Sequence, residues 1–224
     1  MVLKLYGRAT ATCTLRVAVV LYEKQIPYEF HAIDLFKGEQ KTPEYLEKQP
    51  FGQIPYIDDD GFILYESRAI GRYLSAKYAD KGPKLIPDVG DLKAYALYEQ
   101  AASVESFNFD PFASKAIYEN VLKKLYGGIP DVQLFNSLIE ALGAKLEAYE
   151  VILGKQKYLA GDEITLADLF HLPFGMMLSV AGSDIMLKQG PNVTRWWNDL
   201  TSRPAWKAVA QGIPEKPAFS LDQV

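Results

Sequence analysis

The chain has one cysteine, Cys13, so no intramolecular disulfide can form, and a lone thiol fits a reducing compartment. It has no excess of basic residues. Lys and Arg number 24 against 28 Asp and Glu, for a net charge of -4, and no basic block points to nucleic acid. An acidic balance still permits a local pocket for one anionic ligand. Long apolar runs are missing too. None approaches the roughly 18 residues that a membrane helix needs, and the opening Met1–Gly7 is too short and too quickly interrupted for a signal peptide. These absences make the cytoplasm the expected location, with no membrane partner. Internal repeats and low-complexity segments are also absent. What remains is 224 residues with 49% hydrophobic and 23% charged side chains. That suffices for one large core or two modest ones.

Periodicity divides the chain. Val2–Tyr6 is a short apolar run closed by Gly7 and reads as a buried strand. Leu15, Ala18, Val19 and Tyr22 recur at helical spacing, with Glu23–Lys24 marking the wet end. Tyr28, Phe30 and Ala32 alternate with Glu29, His31 and Ile33, the pattern of a second strand. A polar stretch, Lys37–Lys41, leads to a short helix from Pro43 to Lys48. Two short apolar runs, Pro55–Ile57 and Phe62–Leu64, flank Asp58-Asp59-Asp60-Gly61 and predict a hairpin. The helical pattern returns from Glu66 to Tyr78. The order β-α-β-α-β-β-α allows two parallel strands with a right-handed crossover and an added antiparallel pair.

Lys81–Lys84 and Pro87–Asp88 read as a linker, giving domains over 1–80 and 90–224 joined by 81–89. The second domain shows no strand pattern. Leu134, Leu138, Leu142, Leu146, Tyr149 and Leu153 form a helical stripe. Thr165-Leu166-Ala167-Asp168 is a capping box, with Ile164 and Leu169 as its hydrophobic staple, and predicts a strongly specified central helix.

Two stretches carry local chemistry. An X-Pro turn can present the N–H and C=O of the residue before it outward, so Ile54 before Pro55 can grip an extended peptide as another strand would. Glu66 and Ser67 lie where a helix begins, and free amides at a positive dipole end suit a carboxylate. Each has a plainer role as well: a proline that starts a strand, a serine that caps a helix.

Several motifs occur together and in order. They are Lys4-Leu5-Tyr6-Gly7, Lys37-Gly38-Glu39-Gln40-Lys41, Pro50-Phe51-Gly52-Gln53-Ile54-Pro55, Glu66-Ser67-Arg68-Ala69-Ile70, and Leu159-Ala160-Gly161-Asp162 leading into Thr165–Asp168. On these the chain resembles a cytosolic glutathione transferase, most closely the phi type of plants and fungi, over essentially its whole length. The resemblance implies an α/β thioredoxin-like domain followed by an all-α helical bundle that contributes the hydrophobic substrate site. It implies glutathione as co-substrate, no metal, and a cis Ile54–Pro55 bond. Ser67 then takes the γ-glutamyl carboxylate and Glu66 its ammonium. Ile54 and Pro55 hold the middle of the tripeptide, Gln53 bonds its backbone or a carboxylate, and Gln40 and Lys41 reach the glycyl carboxylate.

The thiol end departs from the phi pattern, in which a serine often precedes Thr-Cys-Thr. Here Thr12-Cys13-Thr14 follows Ala11, so the expected hydroxyl is missing. A free thiol has a pKa of about 8.5, and one hydrogen bond to a charged group contributes roughly 1.5–3 kcal/mol. Three readings stand: Thr12 stabilises the thiolate by its hydroxyl or amide, Thr10 reaches in from the loop, or the site binds glutathione without activating it well. The function follows the same fork. The chain conjugates glutathione to hydrophobic electrophiles, or it is a ligandin-like protein that holds glutathione and a hydrophobic ligand, or it is a thiol reductase using Cys13. In the helical domain, Phe107, Phe109, Phe112 and Tyr118 cluster around Asp110-Pro111, and Phe174, Met176 and Met177 follow the capping box. Phe112, Tyr118, Phe174 and Met177 are the candidates for the apolar substrate site. The resemblance also implies a homodimer, with Phe51 and Arg68 as candidate contacts.

Overall fold

The computed structural model describes residues 2–214. They form two compact units. The first takes in the chain up to Lys84 and, from the far end, the helix that begins at Pro204; the second spans Leu85–Arg203.

In the first unit, strand β1 (Leu3–Gly7) pairs in parallel with β2 (Tyr28–Ala32), after the right-handed crossover expected for such a pair, through helix α1 (Thr12–Glu23). A single 3-10 turn at Glu39–Lys41 and the short helix α2 (Pro43–Leu46) lead to the hairpin of β3 (Tyr56–Asp59) and β4 (Phe62–Tyr65). The strand order is β2-β1-β3-β4, with β3 and β4 antiparallel additions. Helix α3 (Ser67–Lys77) follows. Leu3, Leu5 and Ile57 on one face of the sheet are buried, as are Val17, Val20 and Leu21 of α1 and Ile70 and Leu74 of α3. Helices α1 and α3 pack together. Fully burying each of these side chains stabilises the unit by about 1.5–3 kcal/mol.

The second unit is helical: α4 (Leu92–Val104), α5 (Asp110–Ile117), α6 (Lys123–Leu125), α7 (Val132–Leu153), α8 (Leu166–Leu169), α9 (Leu172–Val180), α10 (Ile185–Lys188) and α11 (Pro191–Ser202). Single π-helical stretches, Glu105–Phe109 and Tyr118–Leu122, join α4 to α5 and α5 to α6. Helix α12 (Pro204–Val209) belongs to the first unit, where it packs on α1.

Two expectations change here. The apolar stripe of α7 is buried from Leu142 through Leu146, Tyr149 and Leu153, but at its start Phe135 is buried while Leu134 is exposed. The capping box is present, yet the helix it starts is only one turn long. Pro173 lacks an N–H and its ring crowds the carbonyl four residues back, on Leu169. The chain therefore turns at Phe170–His171 and begins again as α9.

Asp168 is completely buried. Its carboxylate accepts from the amides of Leu159 at 3.0 Å and Thr165 at 2.9 Å, from the Thr165 hydroxyl at 3.1 Å, and from the Trp196 indole at 2.9 Å. Burial pushes its carboxyl above the ordinary value, against the pull of those four donors.

Candidate functional site

The sheet register decides where the candidate residues meet. Gly7 at the end of β1 pairs with Ala32 at the end of β2. Tyr6 pairs with Tyr56, the first residue of β3, and Tyr56 pairs with Tyr65, the last of β4. The loop after β1, the loop after β2, the approach to β3 and the exit from β4 thus all emerge at one end of the sheet. Those four segments contain Thr10 and Thr12, Gln40 and Lys41, Gln53, Ile54 and Pro55, and Glu66 and Ser67.

Across the strands at this end runs a stack of aromatic rings, on Tyr6, His31 and Tyr56, that the sequence patterns did not single out. His31 stacks on Tyr6 at 4.5 Å between centroids, and Tyr6 on Tyr56 at 4.4 Å. The edge of Phe51 meets Tyr65 at 6.1 Å. Phe51 itself is 64% exposed. The Tyr56 phenol is pushed up to about 12, by burial first and then by Tyr6 and Asp58. It stays neutral across the physiological range.

The segment from Gln49 to Pro55 is braced from behind. Gln49 is buried; its carbonyl accepts from the Gly52 amide at 2.9 Å and its side-chain oxygen from the Gln53 amide at 3.3 Å. The Tyr45 hydroxyl donates to the Gln53 carbonyl at 2.7 Å. Burial, with Tyr56 nearby, raises that phenol well above its ordinary value, so it remains a donor. The Lys41 ammonium donates to the Phe51 carbonyl at 3.1 Å. Gly52 has φ +59, and a Cβ there would lie 2.6 Å from Lys41 Nζ and 2.8 Å from the Gln40 carbonyl oxygen. Only glycine lets the Gln40–Lys41 turn close onto this loop. The Ile54–Pro55 bond is cis. The sheet ladder begins at Tyr56, so Ile54 stands just outside it.

Helix α3 starts on an unusual backbone. Glu66 sits at φ 68 and ψ 106, a region that non-glycine residues rarely adopt, and its side chain is exposed. Ser67 next to it is buried, and its hydroxyl accepts from the Arg16 guanidinium at 3.0 Å. Arg16 is only 1% exposed and also lies 3.7 Å from Cys13 Sγ. It ties the start of α3 to α1. The signal for it in the sequence is a lone arginine inside the apolar run Leu15–Leu21.

Helix α1 starts on Ala11, in extended conformation, with no side-chain cap. Thr12 is its first residue and Cys13 its second. The first turn of a helix has amides without intrahelical acceptors and carries the positive end of the dipole. Thr10 is exposed on the loop before it.

In the helical unit, Phe109 is completely buried and is core. Phe112 on α5 is half-buried, 6.0 Å from the Lys145 ammonium. Phe174 and Met177 are half-buried on α9, which packs against α5. Tyr118 is half-exposed on a groove of about 330 Å³ shared with Ser114, Leu134 and Leu138. Met176 lines a separate hollow of about 270 Å³ with Met186 and Trp197. Among the described residues no group of three His, Cys, Asp or Glu side chains is placed to hold a metal ion. No described helix is long and apolar enough to cross a membrane.

Residues 1–76 match the family described as glutathione S-transferase, N-terminal domain, and residues 116–204 match glutathione S-transferase, C-terminal domain. The chain belongs to the glutathione S-transferase family. It is 48% identical over 213 residues to glutathione S-transferase hmp2 of Hypomyces subiculosus, a match covering 94% of this chain and 99% of that one. Among solved structures, glutathione transferase F7 from Populus trichocarpa superposes with a TM-score of 0.89 at 41% identity, covering 95% and 100% of the two chains. Glutathione S-transferase I from maize, solved in complex with an atrazine glutathione conjugate, superposes with a TM-score of 0.84 at 31% identity, covering 94% and 97%. The activity of this glutathione transferase of phi type is conjugation, with glutathione as co-substrate.

Proposed function

We propose that this transferase ionises the glutathione thiol without the serine hydroxyl common in its type, using the first-turn amides of α1 and the Thr12 hydroxyl. The observation that carries the reading is the start of α1. Ala11 stands at the N-cap and its methyl group makes no cap, so donors remain for an approaching sulfur. Thr10, exposed on the preceding loop, is the weaker source of a hydroxyl.

The convergence of the four loops supports the remaining assignments. Ser67, oriented by Arg16, takes the γ-glutamyl carboxylate at the start of α3. Glu66 takes the ammonium with its exposed carboxylate. The Ile54 backbone beside Pro55 grips the middle residue, and Gln53 bonds to it. Gln40 and Lys41 meet the glycyl carboxylate, Lys41 turning its ammonium from the Phe51 carbonyl toward the ligand. The electrophile is apolar, as the atrazine conjugate on the maize relative illustrates, and Phe112, Tyr118, Phe174 and Met177 supply its walls. The working unit is a cytoplasmic homodimer with Phe51 and Arg68 at the contact.

The test is conjugation of a panel of aryl halides and other electrophiles by the wild-type chain and Thr12→Ala. One hydrogen bond to a charged group contributes about 1.5–3 kcal/mol, so kcat/KM of Thr12→Ala should fall by about tenfold or more. Equal turnover removes Thr12 from the reading. The same Ala11 favours a second reading, in which the pocket holds glutathione beside a hydrophobic ligand. Tight glutathione binding without turnover on any electrophile would select it.

A further inference from the structure

The amides invoked above hang on a four-residue loop, Arg8–Ala11, between β1 and α1. Inside the loop the Ala11 amide donates to the Arg8 carbonyl at 3.0 Å. Outside it, the Arg8 guanidinium lies over the Phe36 ring, 4.8 Å from its centroid. A further hold comes from the far end of the chain. Helix α12 packs on α1, with Trp206 and Val209 buried. The chain then passes through Gly212 to Ile213, whose amide donates to the Ala9 carbonyl at 3.1 Å. Ile213 is 7% exposed. Gly212 has φ +124, and a Cβ there would lie 3.3 Å from the Thr10 methyl carbon. A side chain at 212 is disfavoured by the backbone and crowded by the loop it faces.

We propose that Gly212–Ile213 is a backbone clamp that positions the start of α1 for the reaction. It rests on the reading that α1 amides stabilise the thiolate. Donors of that kind act only when held at hydrogen-bond distance from the developing charge, and the dipole contribution fades within one turn. Ile213 fixes Ala9, Ala9 fixes the turn to Ala11, and the turn aims the amides of Thr12 and Cys13. The residues assigned to the rest of glutathione sit on three other loops. Releasing the clamp therefore separates two quantities: the tripeptide is still bound, but its thiol ionises less readily. A raised thiol pKa leaves less thiolate at neutral pH, and the rate returns as pH rises through the new value.

Three variants test this. Ile213→Pro deletes the donated N–H and keeps an apolar side chain. Gly212→Ala strains the left-handed backbone against Thr10, and Ile213→Val preserves the bond. The readouts are ultraviolet absorbance of the thiolate in the bound complex against pH, glutathione affinity by calorimetry, and circular dichroism for the fold. The first two variants should raise the apparent thiol pKa by about one unit, equivalent to about tenfold in conjugation rate near pH 7, with recovery toward about pH 9. Glutathione affinity should stay within about twofold of wild type, and Ile213→Val should match wild type throughout. If Ile213→Pro does not fold, Gly212→Ala decides. A folded variant with an unchanged thiol pKa, or one whose affinity falls in step with its rate, overturns the clamp alone. A wild-type complex whose thiol ionises like free glutathione overturns the amide reading and the clamp together.

Discussion

Helix α8 begins on Thr165 with a closed set of bonds, whereas α1 begins on Ala11 with none from a side chain. Helix α11 offers an intermediate case, since the Glu150 carboxylate of α7 accepts from the Asn192 and Val193 amides at 3.0 and 2.8 Å. At α8 and α11 carboxylates take up the donors of the helix start. At α1, at the mouth of the four converging loops, no side chain does so. An uncapped start costs about 1 kcal/mol, and at α1 that cost accompanies the donors on which the proposed thiolate site depends.

The largest effect should come from breaking the closed start. Asp168→Ala strands four buried donors, each costing about 1–3 kcal/mol when unsatisfied. A loss of about 3–5 kcal/mol in urea unfolding is expected. A loss below 1 kcal/mol would mean that water replaces the carboxylate. Next comes the start of α3. Ser67→Ala should raise KM for glutathione about tenfold and change kcat by less than about twofold, because a bond present in ground and transition states alike is removed. A fall in kcat at constant KM would place Ser67 at the sulfur instead. Third, Ala11→Ser closes the open start, and the ligand-free protein should gain about 1 kcal/mol in urea. No gain would show that the first-turn amides of α1 are already satisfied.

The smallest effect concerns Glu150. Burial opposes its ionisation, but the amides of Val193 and Asn192 and the Asn192 side chain outweigh it and hold the carboxyl below its ordinary value. A depressed folded-state pKa gives stability that is present above the unfolded value and lost as pH falls through the folded one. The urea midpoint of wild type should therefore drop more steeply below about pH 4.5 than that of Glu150→Gln. Parallel acid limbs for the two proteins would remove Glu150 from the account.

Much of this was legible in the sequence, and the reason is locality. Strands such as Leu3–Gly7 and Tyr28–Ala32, the hairpin and the capping box are written in residues a few positions apart. The candidate site residues could be named because their motifs are contiguous: Gln49–Pro55 turns back on itself through Gln49, and Ser67 begins its own helix. The illegible parts are long-range. Arg16 reads as a misplaced charge until Ser67, 51 positions away, is seen to take it. Leu134 fits the apolar stripe of α7, and only packing reveals that Phe135 is the buried residue. The capping box is local and legible, but the one-turn length of its helix depends on Pro173 farther on. The left-handed backbone at Glu66 has no signal of its own, since nothing in a glutamate announces it.

The return of α12 to α1 has a consequence for the order in which the molecule is made. A chain leaving the ribosome exposes β1 through α3 long before Trp206 and Val209 are synthesised, and contacts of such separation form late. The sheet can assemble early, but the part of α1 that α12 covers stays wet until Trp206 and Val209 emerge. Newly made N-terminal units therefore expose apolar surface while the helical unit is being synthesised, the condition under which partly folded chains aggregate.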